Sequence, residues 1–158
     1  MMRKSTHGYI LMDKVFNTEF EMSLRLLLLL AYSSNGLTID QAAAFDFIAV
    51  YGNIFGISAS NLHGDNNLIF SEYPFRRQAT RTALKSMVLN GWVTVKDTGS
   101  GFLYTLTANA TTATKKINNA YSVAYRSSAQ AALNKYGSLK EEQLVALISK
   151  ASTQALRR

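Results

Sequence analysis

The chain has 158 residues, no cysteine, a single proline and a hydrophobic content of 47%. This size suits one globular domain, or one domain with a helical extension. The absence of cysteine excludes a disulfide framework and thiolate metal sites, and the single proline argues against long disordered stretches. The formal net charge of +7 is uneven, because residues 1–73 carry four Lys/Arg against seven Asp/Glu and residues 74–136 carry nine against one. This distribution predicts an anionic partner for the middle of the chain, either nucleic acid or an acidic protein; a solvated basic surface is the alternative.

The N-terminal residues up to Phe16 have no assigned structure, although Tyr9–Phe16 can pair as a strand. Met1–Met12 lacks an apolar core of signal-peptide length, so no export signal is expected. The most apolar run, Leu26–Ala31, is far shorter than the roughly 20 residues that span a bilayer. With the lack of cysteine, these features favour a cytoplasmic protein without a membrane partner.

The first predicted helix begins near Asn17 or Thr18 and runs to about Ser33. Thr18 and Glu21 have the spacing of a capping box, in which each side chain caps the other's backbone amide. The helix is apolar almost all round, which is typical of a central core helix. Asn35-Gly36 is a strong turn signal after it.

The second predicted helix opens at another capping box, Thr38 with Gln41, and runs to about Tyr51. Its large apolar side chains spread over more than one face, which indicates either deep burial or a subunit contact. These side chains are Phe45, Phe47, Ile48 and Val50.

Residues 52–73 form a long connection that glycines interrupt but that is too apolar for a free linker. Such connections are often functional, so we expect a folded loop that packs on the domain and can include a helical turn. The loop contains Leu62 and His63. A lone histidine beside Gly64-Asp65 is more often a hydrogen-bonding loop residue than a metal ligand.

A third helix is predicted from Phe75 to about Asn90, with Gly91 at its C-terminal cap. At 100° per residue, an inward side forms from Thr80, Ala83, Leu84, Met87 and Val88, and Leu89 points outward. Two alternating strands follow, separated by the turn at residues 97–101. A helix that leads into such a hairpin indicates a winged helix, an architecture that binds DNA or a protein partner.

The third helix and its wing carry the candidate binding residues for nucleic acid or an acidic partner. In a DNA-reading winged helix this helix enters the major groove and the wing touches phosphates. Lys115, Lys116 and Arg126 would extend the footprint. The outward Leu89 suits a protein interface better than groove readout. The candidates are Arg76, Arg77, Gln78, Arg81, Lys85 and Lys96.

The remainder is predicted to be helical, in one or two segments up to Tyr136-Gly137 and in a last helix capped by Ser138 and Glu141. An apolar stripe on the last helix is expected to cover the core of the same chain, with dimerisation as the alternative. The predicted fold is therefore mostly α with a small β-wing: a winged helix-turn-helix domain at 1–106 and a C-terminal helical extension at 107–158. The stripe consists of Leu144, Leu147, Ile148, Ala151 and Ala155.

No catalytic pattern occurs in the sequence. It lacks the G-x-x-x-x-G-K-[ST] phosphate loop, the H-E-x-x-H zinc motif and the G-x-S-x-G nucleophile elbow. Its two histidines, His7 and His63, lie far apart in dissimilar settings. We therefore expect a non-enzymatic protein with no catalytic residue, no metal site and no cofactor.

Over roughly residues 17–137 the order of features resembles the middle component of three-component ABC-ATPase systems, which are bacterial conflict systems of the Lamassu type. The resemblance rests on the segments NTEFEMSLRLLLLLAY, IDQAAAFDFIAVYG, SNLHG and RRQATRTALKSMVLNGWVTV. Its main features are the first helix start with Arg25, the Leu62-His63 pair and Arg76-Arg77.

The resemblance implies a small subunit that bridges an SMC/Rad50-like ABC ATPase and an effector, often a nuclease, in anti-phage or anti-plasmid defence. It would make Phe45, Phe47, Leu62, His63 and Leu89 candidate partner contacts. The basic residues would then face DNA held by the ATPase, or an acidic patch on a partner. Two other hypotheses remain: a stand-alone winged-helix transcription regulator, and a replication-initiator or partition adaptor.

Overall fold

The computed structural model of the protein describes residues 18–65 and 69–156. It is mostly helical with a two-stranded antiparallel sheet, as predicted. The strand prediction for Tyr9–Phe16 lies outside the described residues. In chain order the elements are α1 (Glu19–Leu30), α2 (Ile39–Val50), a 3-10 turn (Ile69–Glu72), α3 (Tyr73–Leu89), β1 (Val93–Asp97), β2 (Phe102–Leu106), α4 (Ala108–Thr114), α5 (Ala120–Tyr136) and α6 (Glu141–Leu156).

The starts of α1 and α2 are fixed by the predicted side-chain caps. Thr18 Oγ1 accepts a hydrogen bond from the Glu21 amide at 3.2 Å. At α2 the capping box is complete, because Thr38 Oγ1 accepts from the Gln41 amide at 3.1 Å and Gln41 Oε1 accepts from the Thr38 amide at 3.0 Å. These bonds satisfy backbone amides that have no partner within the first helical turn.

The predicted cap of the last helix was misplaced. α6 begins at Glu141, and Gln143 Oε1 accepts a hydrogen bond from the Lys140 amide at 2.8 Å. The carboxylate of Glu141 instead accepts a hydrogen bond from the Thr38 hydroxyl. A tertiary contact to the start of α2 therefore uses the side chain that sequence spacing assigned to a local cap with Ser138.

The core lies where α2 packs against α1, α3 and α5. Helix α5 belongs to it, because Tyr125, Ala129 and Ala132 are fully buried. On α6, Leu144 and Ile148 are buried against the same core, which confirms that the apolar stripe covers this chain's own interior. The largest apolar side chains without solvent exposure include Phe47, Met22, Leu26, Leu28, Leu29, Ile48 and Leu84.

The long connection between α2 and α3 packs on the domain, as expected for a folded loop. Its Phe55 and Ile69 are buried, and the Leu62 amide donates to the Val50 carbonyl at 2.8 Å. The expected helical turn is the 3-10 segment Ile69–Glu72. The loop thus covers part of the hydrophobic core.

The two-stranded sheet is extended by one residue from the α1–α2 connection. Leu37 forms a bridge with Tyr104, donating to its carbonyl at 3.1 Å and accepting from its amide at 2.8 Å. Gly36 makes this approach possible, since its φ is +82° and a Cβ there would lie 2.8 Å from the Thr105 side chain. Gly91, at φ +78°, ends α3 as predicted and turns the chain into β1.

Candidate interaction surface

The outward face of α3 has the polar and cationic character predicted for it. Gln78, Arg81 and Lys85 are exposed, and the inward residues Thr80, Ala83, Leu84 and Met87 are buried. Pro74 lies in the first helical turn, where its missing amide costs no hydrogen bond. Whether these exposed residues contact nucleic acid or protein stays a prediction.

Large apolar side chains are exposed at both ends of the same face. Phe75 is 78% exposed and Leu89 is 80% exposed. They are fourteen positions apart, so they lie on the same side of the helix and about 21 Å apart along its axis. The wing adds exposed Val95 and Phe102. Exposed phenylalanine and leucine beside cations suit a protein-binding surface better than a purely electrostatic one.

The structure removes Arg76 from the predicted basic surface. Its side chain is 2% exposed, and Nη1 donates to Asp46 Oδ2 at 2.9 Å. Arg76 Nε and Nη2 make no hydrogen bond to any described residue, but Nη2 forms an ion pair with Glu72 Oε2 at 3.6 Å. The guanidinium also lies 5.8 and 5.7 Å from the ring centroids of Phe47 and Tyr51. Because consecutive helical residues point about 100° apart, its neighbour Arg77 faces outward, where it pairs with Asp40.

Other predicted cations differ in their availability. Lys96 on β1 is exposed, and so are Lys115 and Lys116 after α4. Arg126 is half-buried and donates to the Thr114 carbonyl, so it stabilises the connection between α4 and α5.

Asp46 lies at the centre of a buried ionic network. Its carboxylate accepts hydrogen bonds from Arg25 Nε at 2.9 Å, from Arg76 Nη1 at 2.9 Å and from the Tyr125 hydroxyl at 2.7 Å. Burial alone would raise the pKa of Asp46, but the charges of Arg25 and Arg76 and the hydrogen bonds hold it well below its usual range. The charged carboxylate thereby connects α1, α2, α3 and α5.

The sequence contains a signal for this network that the predictions above did not use. Asp46 is the only charge between Ala42 and Val50, in a helix that is otherwise buried on every side. A buried carboxylate requires a hydrogen-bonded cation. Arg25 and Arg76 were both singled out by the family resemblance, but their common partner was not identified.

The predicted partner contacts on α2 were wrong. Phe45 is 1% exposed and Phe47 is fully buried, so neither is available to another subunit. Phe47 packs against Tyr51, Phe55, Phe70 and Tyr73, with ring centroids 5.1 to 6.0 Å apart. Of the two alternatives for this helix, deep burial is the one observed.

The Leu62-His63 pair, within the loop, is half-buried. His63 Nε2 lies 2.8 Å from the Tyr121 hydroxyl, and the ring stacks on Tyr121 with a centroid distance of 6.1 Å. Burial, with the positive charges of Arg25 and Arg76, lowers the pKa of His63 to about 3. His63 is therefore a neutral packing residue at physiological pH.

We expect this histidine to make the protein less stable in acid. The unfolded chain protonates His63 below a pKa of 6.5, whereas the folded chain does so only near 3. The contribution of neutral His63 to the free energy of unfolding is therefore fully present above pH 6.5. It falls by roughly 1.4 kcal/mol per pH unit as the pH drops from 6.5 towards 3. Urea titrations between pH 7 and 4.5 should show a weaker pH dependence for His63→Gln. Tyr121→Phe keeps the imidazole ring that titrates, so this control should retain the pH dependence of the wild type. If the free energy of unfolding changed equally with pH in the wild type and in His63→Gln, His63 would not be the group responsible.

A groove of about 650 Å³ lies between α1 and the C-terminal end of α3, and it also includes Trp92, just before β1, and Ile117, just after α4. Its walls are mostly apolar, and Phe20 at its edge is 74% exposed. No sequence pattern indicated this groove, because its walls come from separate segments. It is lined by Glu19, Phe20, Ser23, Leu24, Leu27, Ser86, Met87, Asn90, Trp92 and Ile117.

Within residues 18–65 and 69–156, no group of three His, Cys, Asp or Glu side chains is placed to hold a metal ion. In the same ranges no helix is long and apolar enough to cross a bilayer. A family model described as "ABC-three component (ABC-3C) system Middle Component 2" matches residues 15–158. No curated protein and no solved structure matches the chain.

Proposed function

Because the chain belongs to the ABC-three component (ABC-3C) system Middle Component 2 family, we propose that it is a non-enzymatic bridging subunit of a Lamassu-type defence complex. In this role it links an SMC/Rad50-like ABC ATPase to an effector nuclease, in the manner of a kleisin. It has no cofactor and acts in the cytoplasm through protein contacts. DNA is contacted through the complex.

The observation that carries this proposal is the mixed character of the α3 and wing surface. Exposed Phe75 and Leu89 border the cationic residues Arg81 and Lys85 on one helix face. A surface specialised for DNA phosphates needs cations but gains nothing from exposed phenylalanine and leucine. Protein interfaces combine exposed aromatic and aliphatic side chains with arginine, and on this face Phe75 and Leu89 flank Arg81 and Lys85.

The order of the structural elements supports the same role, since we interpret it as a winged helix. The order α1, Leu37 bridge, α2, α3, β1 and β2 places a short strand between the first two helices and a hairpin after the third. In this interpretation residues 1–106 form the winged-helix domain and residues 107–158 an extension that packs on it. The extension contributes Tyr125 to the Asp46 network.

The proposed mechanism is a shift of populations. A bridging subunit that binds both ATPase and effector stabilises the inactive assembly. ATP and DNA change the geometry of the ATPase heads, lower the affinity of that assembly and release the effector. The subunit contributes only binding free energy, so the residues on its surface determine how strongly it stabilises the inactive assembly.

The test is affinity purification of the tagged full chain expressed with its genomic neighbours, read out by mass spectrometry. We expect a coiled-coil ATPase and an effector to co-purify. Phe75→Asp with Leu89→Asp should reduce recovery of a partner by at least about 30-fold, the effect of losing an interface hot spot of about 2 kcal/mol. Val145→Asp, on α6 and 48% exposed, is the matched control. Purification of the wild-type chain alone would overturn the proposal.

A stand-alone winged-helix transcription regulator is the alternative, and the exposed Gln78, Arg81 and Lys85 face favours it. It predicts specific duplex binding whose affinity falls steeply as salt rises. The double variant Arg81→Ala/Lys85→Ala should then lose sequence preference, measured by competition between specific and scrambled duplexes. Unchanged preference in this variant would exclude groove readout by α3.

A further inference from the structure

We propose that the groove between α1 and the C-terminal end of α3 binds a segment of the same chain, residues 9–16, which precede α1 in the sequence. These residues lie outside the described part of the chain. Their amino-acid sequence, the point where they join α1 and the lining of the groove support the assignment. The inference does not depend on the proposed function, because it concerns a contact within one chain.

The groove starts where segment 9–16 joins the first helix. Thr18 caps α1 with an extended backbone, and the next two residues, Glu19 and Phe20, already line the groove. The lining continues along α1 to Leu27, about 12 Å further along the helix axis at 1.5 Å per residue. A chain of the length of segment 9–16 can extend over about 26–29 Å. The segment is therefore long enough to run along this whole wall.

Segment 9–16 has the composition that an apolar groove requires. Its only charged residues are Asp13 and Lys14. The walls of the groove are mostly apolar, and Phe20 at its edge is 74% exposed. Contact between the two would remove apolar side chains of both from water, which is the main favourable contribution to such packing. The apolar residues of the segment are Tyr9, Ile10, Leu11, Met12, Val15 and Phe16.

Charge and covalent attachment favour this segment over a separate molecule. Among the described residues that line the groove, the only charged side chain is that of Glu19. Residues 1–16 carry three Lys/Arg and one Asp, a formal net charge of +2, so their attraction to this carboxylate is favourable. A segment attached beside the groove has an effective concentration on the order of millimolar. Any separate partner must compete with it.

Disulfide formation between two introduced cysteines tests the proposed contact, because the chain contains no cysteine of its own. One cysteine replaces Ser23 on the groove wall. The other replaces Leu11, Met12 or Val15 in turn, which samples different positions along the segment. The three full-length double variants are purified and oxidised, and mass spectrometry without reduction identifies the products. We expect at least one of them to form a disulfide within a single chain.

Glu21→Cys in place of Ser23→Cys is the matched control. Glu21 lies two positions earlier on α1, so its side chain points about 200° away from that of Ser23. It is not among the lining residues. The Thr18 cap uses only the backbone amide of Glu21, so the substitution preserves it. We expect the fastest Ser23 pair to react at least about tenfold faster than the corresponding Glu21 pair, since the rate follows the local thiol concentration.

Trp92 provides a second readout, because it is the only tryptophan in the chain, lines the groove and is 38% exposed. Leu11→Asp/Val15→Asp should keep the segment out of the groove, since burial of unpaired carboxylates is unfavourable. We expect the fluorescence of Trp92 to shift to longer wavelength and acrylamide to quench it more strongly. Ser5→Asp/Thr6→Asp adds the same charge outside the segment and should leave both quantities unchanged. Circular dichroism checks that each variant is folded.

Two results would overturn the inference. One is that all three Ser23 pairs react no faster than their Glu21 controls. The other is that Trp92 fluorescence is the same in wild type and in folded Leu11→Asp/Val15→Asp. Disulfides that form only between two chains would assign the groove to a second copy instead. These measurements use the full chain without a partner, so their failure and a failure of the ATPase to co-purify are separate outcomes.

Discussion

Replacing Asp46 with alanine is expected to lower the free energy of unfolding by about 3–5 kcal/mol. The substitution leaves Arg25 and Arg76 buried, charged and without their common carboxylate. A typical small domain is stable by only about 5–15 kcal/mol, so we expect partial unfolding at physiological temperature. Urea denaturation monitored by circular dichroism measures the change directly.

Asp40→Ala is the matched control, since Asp40 lies on the same helix and pairs with Arg77 at the surface. An exposed ion pair contributes about 0–1 kcal/mol. Tyr125→Phe removes a single hydrogen bond to Asp46 and should cost about 1 kcal/mol. If Asp46→Ala were no more destabilising than Asp40→Ala, the buried network would not hold the helices together.

Replacing Phe47 with alanine is expected to cost about 3–5 kcal/mol, the range for large aromatic side chains in a packed core. Phe47 is fully buried and contacts four other aromatic rings, so these cannot all move to fill the cavity. A shift in the denaturation midpoint with an unchanged slope would identify the loss as one of folding stability.

Leu89→Ala provides the comparison for Phe47. Because Leu89 is 80% exposed, its truncation should change stability by less than about 0.5 kcal/mol. The order of the two variants should be reversed for partner binding. Per unit of folded protein, Leu89→Ala should capture less partner than Phe47→Ala. A stable Phe47→Ala protein that fails to capture the ATPase would instead restore Phe47 as an interface residue.

The buried network also links the two helices that form the groove between α1 and α3. The two walls of the groove are α1 and α3, and Asp46 holds Arg25 on α1 and Arg76 on α3 at the same carboxylate. The network therefore ties together the two helices that carry the groove residues Leu24 and Met87. A preformed groove lowers the entropic cost of binding.

Much of the local structure could be predicted because it depends on neighbouring residues. Thr18 and Thr38 start helices through caps within one turn. Gly91 ends α3 because its positive φ suits glycine, and the hairpin follows from the alternation in residues 92–106. The inward face of α3 was also predicted correctly, since helical periodicity alone decides which of its residues share a side.

Residue patterns alone were therefore enough to predict the mostly helical architecture, the hairpin, the outward position of Leu89 and, through the order of the segments, the family. The packed structure was needed to establish that Arg76 pairs with Asp46 while Arg77 remains at the surface, and that Phe47 belongs to the core. Local signals act over one helical turn, whereas burial of a charge or a ring depends on residues 21 to 79 positions away in the chain, as for Asp46. The groove had no sequence signal for the same reason, because its walls meet only after α1 and α3 have packed.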